Sequence, residues 1–249
     1  MKNTLAFLGL FLTLSSLNAQ IKPATDPNTN LWVSHLGDHK ISDKWSIHSE
    51  IHIRRSELGL GMQQLLIRPA VNYNISDAII ATVGYSFYST YRYGDIPVKY
   101  NTPEHHSFEQ IHIGQSSGRW KFSGRFRLEQ RFIAGFDNNG NIVKWNYLNR
   151  ARTRLMVTVP LNKPKIAKGV VFASAYDEMF VNFSDPTRSP WVHQNRVSVL
   201  IGYQIKTNMS IQLGYLFQNI FRPNIPLNEE NSTIHMIWTW NLDLRKKDK

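Results

Sequence analysis

The 249-residue chain contains no cysteine, which removes disulfide scaffolds, thiolate zinc sites, iron–sulfur clusters and cysteine nucleophiles together. Acidic residues are scarce: 18 Asp and Glu stand against 29 Lys and Arg, a formal net charge of +11. Long apolar runs are missing as well. Beyond the first twenty residues no run reaches helical-span length, and the mean hydropathy of −0.34 excludes a helical membrane protein while leaving a membrane barrel open. Disorder, collagen and coiled coil are excluded by 42% hydrophobic and only 19% charged residues.

What is present begins with Met1 to Ala19, where Lys2 precedes an apolar stretch from Leu5 to Leu14 and a small-residue ending at Leu17-Asn18-Ala19. This is the form of a cleaved secretory signal peptide, so residues 1–19 are set aside from the fold. Gln20 in place of cysteine excludes lipid attachment at that site. A basic exported chain points away from nucleic acid and towards anionic lipid headgroups or anionic solutes.

From Lys44 onward the dominant pattern is two-residue alternation over stretches of about ten to fourteen residues, longer than the usual soluble strand of about five or six. In KWSIHSEIHIR one face carries Trp45, Ile47, Ile51 and Ile53, the other His48, Glu50, His52 and Arg54. WKFSGRFRLEQRF sets Trp120, Phe122, Phe126, Leu128 and Phe132 against Lys121, Arg125, Arg127, Glu129 and Arg131. KWNYLNRARTRLMVTV sets Arg150, Arg152 and Arg154 against Trp145, Tyr147, Leu155, Val157 and Val159. The same period runs through MQQLLIRPAVNYNI, AIIATVGYSFYSTYR, HQNRVSVLIGYQI, MSIQLGYLFQNIF and STIHMIWTWNLDL, and less cleanly through 104–115 and 170–182.

Short polar turns at Ser42-Asp43, Ser76-Asp77, Ser116-Ser117-Gly118 and Lys206-Thr207-Asn208, with a longer one over 161–168, alternate with longer loops near 55–61, 93–102, 135–143, 182–190 and 222–231. Short on one side and long on the other is the layout of an outer-membrane barrel. Trp45, Tyr73, Tyr88, Tyr91, Trp145, Trp191, Tyr203 and Trp240 sit near strand ends, where their rings would meet headgroups. The fold expected is all-β, an antiparallel up-and-down transmembrane β-barrel of ten to twelve strands. It spans residues 44–244, preceded by a 20–43 segment holding a possible first strand, and followed by a basic tail at 245–249. Ten strands are clear. An eleventh, over 31–41, would give an odd number that conflicts with both chain ends lying on one side of the membrane. The alternative is a soluble secreted barrel binding an anionic ligand, with the apolar face as core and the arginines in solvent.

The sequence resembles the domain-of-unknown-function 2490 family of bacterial outer-membrane β-barrel proteins. The carriers are the LWVS and WSIHSEIHIRR segments within Leu31 to Arg55, QLLIRP at Gln64 to Pro69, RFRLEQRF at Arg125 to Phe132, LNRARTRL at Leu148 to Leu155, DEMFVN at Asp177 to Asn182, Gln194-Asn195-Arg196 and the IGY and LGY repeats between Ile201 and Tyr215. The resemblance implies the barrel and the location, and no activity. The end departs from the general barrel pattern, because Arg245 to Lys249 follow the last strand where many such chains stop at an aromatic residue.

If the apolar faces meet lipid, the lumen gathers Arg54, Arg68, Arg125, Arg127, Arg131, Arg150, Arg152, Arg154 and Arg196, with Glu50, Glu129 and Glu178 as the main counter-charges. Interlocking ion pairs fill small barrels, so a structural interior is one reading. A narrow anion-preferring path is the other, since guanidinium forks suit carboxylate and phosphate. The partners expected are outer-membrane lipid and lipopolysaccharide, the barrel-assembly machinery and a small anionic solute. A lipid hydrolase or deacylase would draw on His48 or His52 with Ser46, or His112 with Ser123, yet no G-x-S-x-G elbow is present. The pair His105-His106 beside Glu104 lacks a third spaced metal ligand. No cofactor and no metal site is expected, and the Asn-x-Ser/Thr tripeptides at Asn182, Asn208 and Asn231 read as turn and rim residues.

Overall fold

Alternating strands must bury one face and expose the other, and here the buried face is the charged one. A computed structural model describes residues 24–95, 97–183, 191–221 and 227–245. The expected signal peptide and the end of the basic tail lie outside the described residues, as do 184–190 of the 182–190 loop and 222–226 of the 222–231 loop, whose remainder belongs to β11. Eleven strands form one closed barrel: β1 Ala24–Lys40, β2 Trp45–Ser56, β3 Gly61–Asn74, β4 Ile79–Thr90, β5 Thr102–Ser117, β6 Trp120–Phe136, β7 Ile142–Pro160, β8 Val171–Asn182, β9 Val192–Lys206, β10 Met209–Ile220 and β11 Leu227–Trp240. Each pairs antiparallel with its chain neighbour, and β1 closes the ring against β11 in parallel, from Ala24 opposite Leu227 to Leu36 opposite Thr239.

That parallel seam answers the parity conflict. The expectation assumed that every neighbouring pair is antiparallel, which forces an even number of strands. The chain instead enters the barrel at the long-loop end, so 24–40 is a full strand and the barrel starts at Ala24 rather than Lys44. At its other boundary β11 stops at Trp240, short of Leu244, although Leu244 still donates its N–H to the Lys40 carbonyl at 2.8 Å. The connection expected as a loop over 135–143 is a tight turn. The Asp137 carboxylate accepts the N–H groups of Asn139 and Asn141, each at 2.9 Å, and Gly140 supplies the left-handed φ of +86° that a side chain would resist.

Outward side chains are aliphatic and aromatic. Ile53 is 44% exposed while its neighbour Arg54 is 7% exposed, and the same inversion holds along β2, β6 and β9. Trp45 packs on Tyr73 at 4.7 Å between ring centroids and Trp238 stacks on Trp240 at 5.8 Å at the short-turn end, with Tyr147 and Trp191 exposed at the other. Tyr88 departs from this pattern. It faces inward and accepts a hydrogen bond from Arg68 Nη2 at 2.5 Å.

Towards the short-turn end the bore is filled by side chains. Phe108 occupies the space a Cβ on Gly84 would take, at 2.6 Å, and Phe172 that of a Cβ on Gly202, at 2.3 Å. Asn72 joins them, donating to Asp38 at 2.7 Å and accepting from Thr82 at 2.8 Å. Trp32, Tyr176, Leu200 and Leu216 form a small apolar cluster inside the barrel, with Met156 and Ile237 against it.

Candidate functional site

The period of two places every predicted lumen residue on the inner face, and hydrogen bonds across strands then decide their company. Glu129 is fully buried on β6 and receives Arg150 at 2.5 Å and Arg152 at 2.7 Å, with Arg127 at 3.7 Å. Arg152 is the bridge: its other nitrogens reach Glu178 on β8 at 2.7 and 3.1 Å. Glu178 also pairs with Arg125, and Arg196 approaches it at 3.8 Å. Across the barrel Glu50 holds Arg68 at 2.6 Å. Arg131 is paired by Glu104, a residue the sequence reading left out of the lumen set. Its signal was available, because Glu104, His106 and Phe108 alternate on one face of β5.

Arg127 donates twice to Gln110 Oε1, at 2.9 and 2.7 Å, and lies 4.4 Å from the Phe108 ring. Two predicted residues have no such carboxylate. Arg54 donates to Gln64 at 2.5 Å and stacks over Trp32 at 4.1 Å, while Arg154, opposite Glu178 in register, lies 5.5 Å from the Tyr176 ring and makes no side-chain hydrogen bond among the described residues.

These side chains surround a cavity of about 290 Å³. It runs from Tyr93 and Ile220 near the long-loop end down to Leu36 and Ile237, and eight arginines line it against three glutamates, Glu50, Glu104 and Glu178. At that imbalance the enclosed potential is positive, and enclosure in a low-dielectric wall strengthens it.

The hydrolase candidates are not brought together. Ser46 accepts from Asn72, His48 pairs with Asp38 at 2.7 Å, and His112 has no hydrogen bond to Ser123 among the described residues. Instead His52 joins Glu50 at 2.5 Å to Ser34 at 2.6 Å, and Ser34 also meets His235 at 2.9 Å. An acid, an imidazole and a hydroxyl in line are the parts of a relay. Ser34 is, however, 1% exposed and sits beneath both imidazoles, so the set ties β1, β2 and β11 together at the seam rather than presenting a nucleophile. His105 and His106 face opposite sides of β5, His106 towards Glu104 at 2.5 Å and His105 outward against Tyr85 and Trp145. No group of three metal-ligating side chains occurs among the described residues.

The model of a family described as protein of unknown function, DUF2490, matches residues 29–229. The chain belongs to that family. A DUF2490 chain thus places its match from within β1 to the start of β11, nearly the whole barrel. An uncharacterized protein of Methylorubrum extorquens is 28% identical over 218 residues, covering 86% of this chain and 87% of its own length. No solved structure matches this DUF2490 chain.

Proposed function

We propose that this DUF2490 chain is an exported outer-membrane β-barrel, inserted by the barrel-assembly machinery among lipid and lipopolysaccharide, whose lumen is packed with ion pairs and prefers small anions. One observation carries the reading: a closed barrel is apolar outside and charged inside, with arginine in excess. A belt of exposed Ile, Val, Leu and aromatic side chains on every strand but β8 is far larger than the patches a water-soluble monomer shows, and lipid is its natural surroundings. The soluble alternative required the arginines in solvent and the aliphatics in the core. The bore is filled at the short-turn end, so wide diffusive flow of the porin kind is not expected.

The test is conductance of the refolded chain in a planar bilayer, with reversal potential under a salt gradient, after heat-modifiable migration has established a closed barrel. Small anion-selective steps are expected, and cation selectivity overturns the preference. Arg152→Glu should shift selectivity towards cations in a conducting lumen. In a purely structural one it only destabilises, because it faces Glu129 and Glu178.

A further inference from the structure

Most lumen arginines pair with a glutamate, but among the described residues Arg54 and Arg154 form no ion pair and Arg196 meets Glu178 only at 3.8 Å. Arg154, Arg196 and Arg54 lie on β7, β9 and β2, and aromatic rings separate them along the cavity wall. Arg154 lies 5.5 Å from the Tyr176 ring, Arg196 lies 5.1 Å from Trp32, and Arg54 lies 4.1 Å from Trp32. Trp32 and Tyr176 belong to one apolar cluster, so cations and rings alternate in a single arc. Arg196 has neutral partners, since Gln194 or Gln218, in the amide orientation that satisfies both, accepts from its Nε and Nη2, and Glu178 approaches only to 3.8 Å. Arg54 also has a neutral partner, Gln64, and its buried Nε meets no acceptor among the described residues. Arg154 has no hydrogen-bond acceptor at all among them. Stacking on rings orients these groups along the cavity they line.

The buried Arg54 and Arg196 and the half-buried Arg154 have between them one shared carboxylate nearby, Glu178, which Arg125 and Arg152 already engage, so they are short of the counter-charge that makes buried ions tolerable. We infer that this arc is a binding site for a small oxyanion carrying at least two negative charges, a di- or tricarboxylate or a phosphate group. The inference deepens the reading of the lumen as anion-preferring and rests on it. A cavity of about 290 Å³ admits a solute of citrate or phosphate size and excludes polymers. The recognition is bidentate, oxygens on guanidinium edges, and the interleaved rings keep the forks from collapsing onto the neighbouring glutamates.

Isothermal titration of the folded barrel in detergent at low ionic strength, with citrate and with inorganic phosphate, tests this. One saturable site is expected, weakened at least tenfold in Arg154→Gln and in Arg54→Gln and unchanged in Arg119→Gln, whose guanidinium binds the Pro160 carbonyl at the short-turn end. Arg154→Gln strands no partner, so it should keep heat-modifiable migration and decides the matter if Arg54→Gln fails to fold. A short-chain phosphatidic acid is titrated in parallel. Binding of that lipid alone assigns the oxyanion to a headgroup, and binding of citrate or phosphate assigns it to a free solute. No saturable binding of any of the three, or equal affinity in the variants, overturns the site. Bilayer selectivity of the unmodified chain is read separately: anion preference without binding sinks the site alone, and binding without anion preference sinks the proposed function alone.

Discussion

Two walls of the same barrel hold themselves together by different chemistry. Strands β6, β7 and β8 carry Arg125, Arg127, Arg131, Arg150, Arg152 and Arg154 with Glu129 and Glu178, a lattice in which each carboxylate serves several guanidiniums. Facing it, β10, β11 and β1 carry no arginine but mainly amides, hydroxyls and imidazoles, with Asp26 and Glu229 as buried acids. Asn30 donates to Asn231 at 2.8 Å, Asn231 to Glu229 at 2.7 Å, and Ser34 lies between His52 and His235. The parallel seam falls in this second wall. Parallel pairing is slightly weaker per residue, and the seam holds its register with no arginine on either strand, although the buried Asp26 stands opposite Glu229. The charged wall depends on carboxylates shared among several guanidiniums, the neutral wall on many smaller hydrogen bonds.

Glu129→Gln should break the first wall. It leaves Arg150, Arg152 and Arg127 facing each other with one carboxylate fewer, and the loss expected for a broken buried pair is about 3–5 kcal/mol, measured by urea unfolding of the barrel in micelles. Gly84→Val comes next, since even a Cβ there would lie 2.5 Å from the Ala70 Cβ and 2.6 Å from the Phe108 ring, and overpacking of this kind costs about 1–3 kcal/mol in the same assay. In the neutral wall Ser34→Ala should cost only about 1–2 kcal/mol, and a fluorophosphonate probe should leave Ser34 unlabelled; labelling would revive the nucleophile. A loss at Ser34 as large as at Glu129 would erase the contrast between the walls.

The smallest effect is expected outside the strands. Arg245 donates to Asp243 at 2.5 and 2.8 Å and to Asp43 at 2.6 Å, clasping the segment after β11 to the β1–β2 turn. The Arg245 hydrogen bonds hold the Asp243 carboxyl down at about 2. A depressed carboxyl stabilises the clasp above its unfolded value of about 4, and that contribution fades as pH falls through about 2. Asp243→Asn should therefore remove an acid-side chemical-shift titration of Arg245 and leave barrel unfolding unchanged, because exposed ion pairs contribute little.

How far the sequence carried this picture follows from what a period of two encodes. Facing is local, so the inner placement of Arg152 or Glu50 is legible from neighbours two residues away. Partnership is not, because Arg152 reaches Glu178 and Glu129 on the strands to either side, and registers depend on turn length and bulges such as that between Gly135 and Phe136. Tyr88 shows the same limit: ring position near a strand end suggested a headgroup anchor, while strand phase turns it inward to Arg68. The meeting of Ser34 with His235 is not legible in the sequence, because it depends on the parallel seam between β1 and β11. The unpaired state of Arg154 is a property of three dimensions alone, since Glu178 stands opposite it in register yet spends its oxygens on Arg125 and Arg152.

The seam also sets an order of events for the growing chain. Each hairpin from β1–β2 to β10–β11 can form as soon as its two strands exist, because every turn at the short end is local. The hydrogen bond from Asn30 to Asn231 joins residues 201 positions apart, and no part of the closure it belongs to can form before β11 has emerged. The open sheet must therefore wait with two unsatisfied edges, one at each end of the chain, and the slow step of assembly is their meeting. Cutting or circularly joining the chain elsewhere in the ring would move that waiting edge, and the rate of barrel completion should move with it.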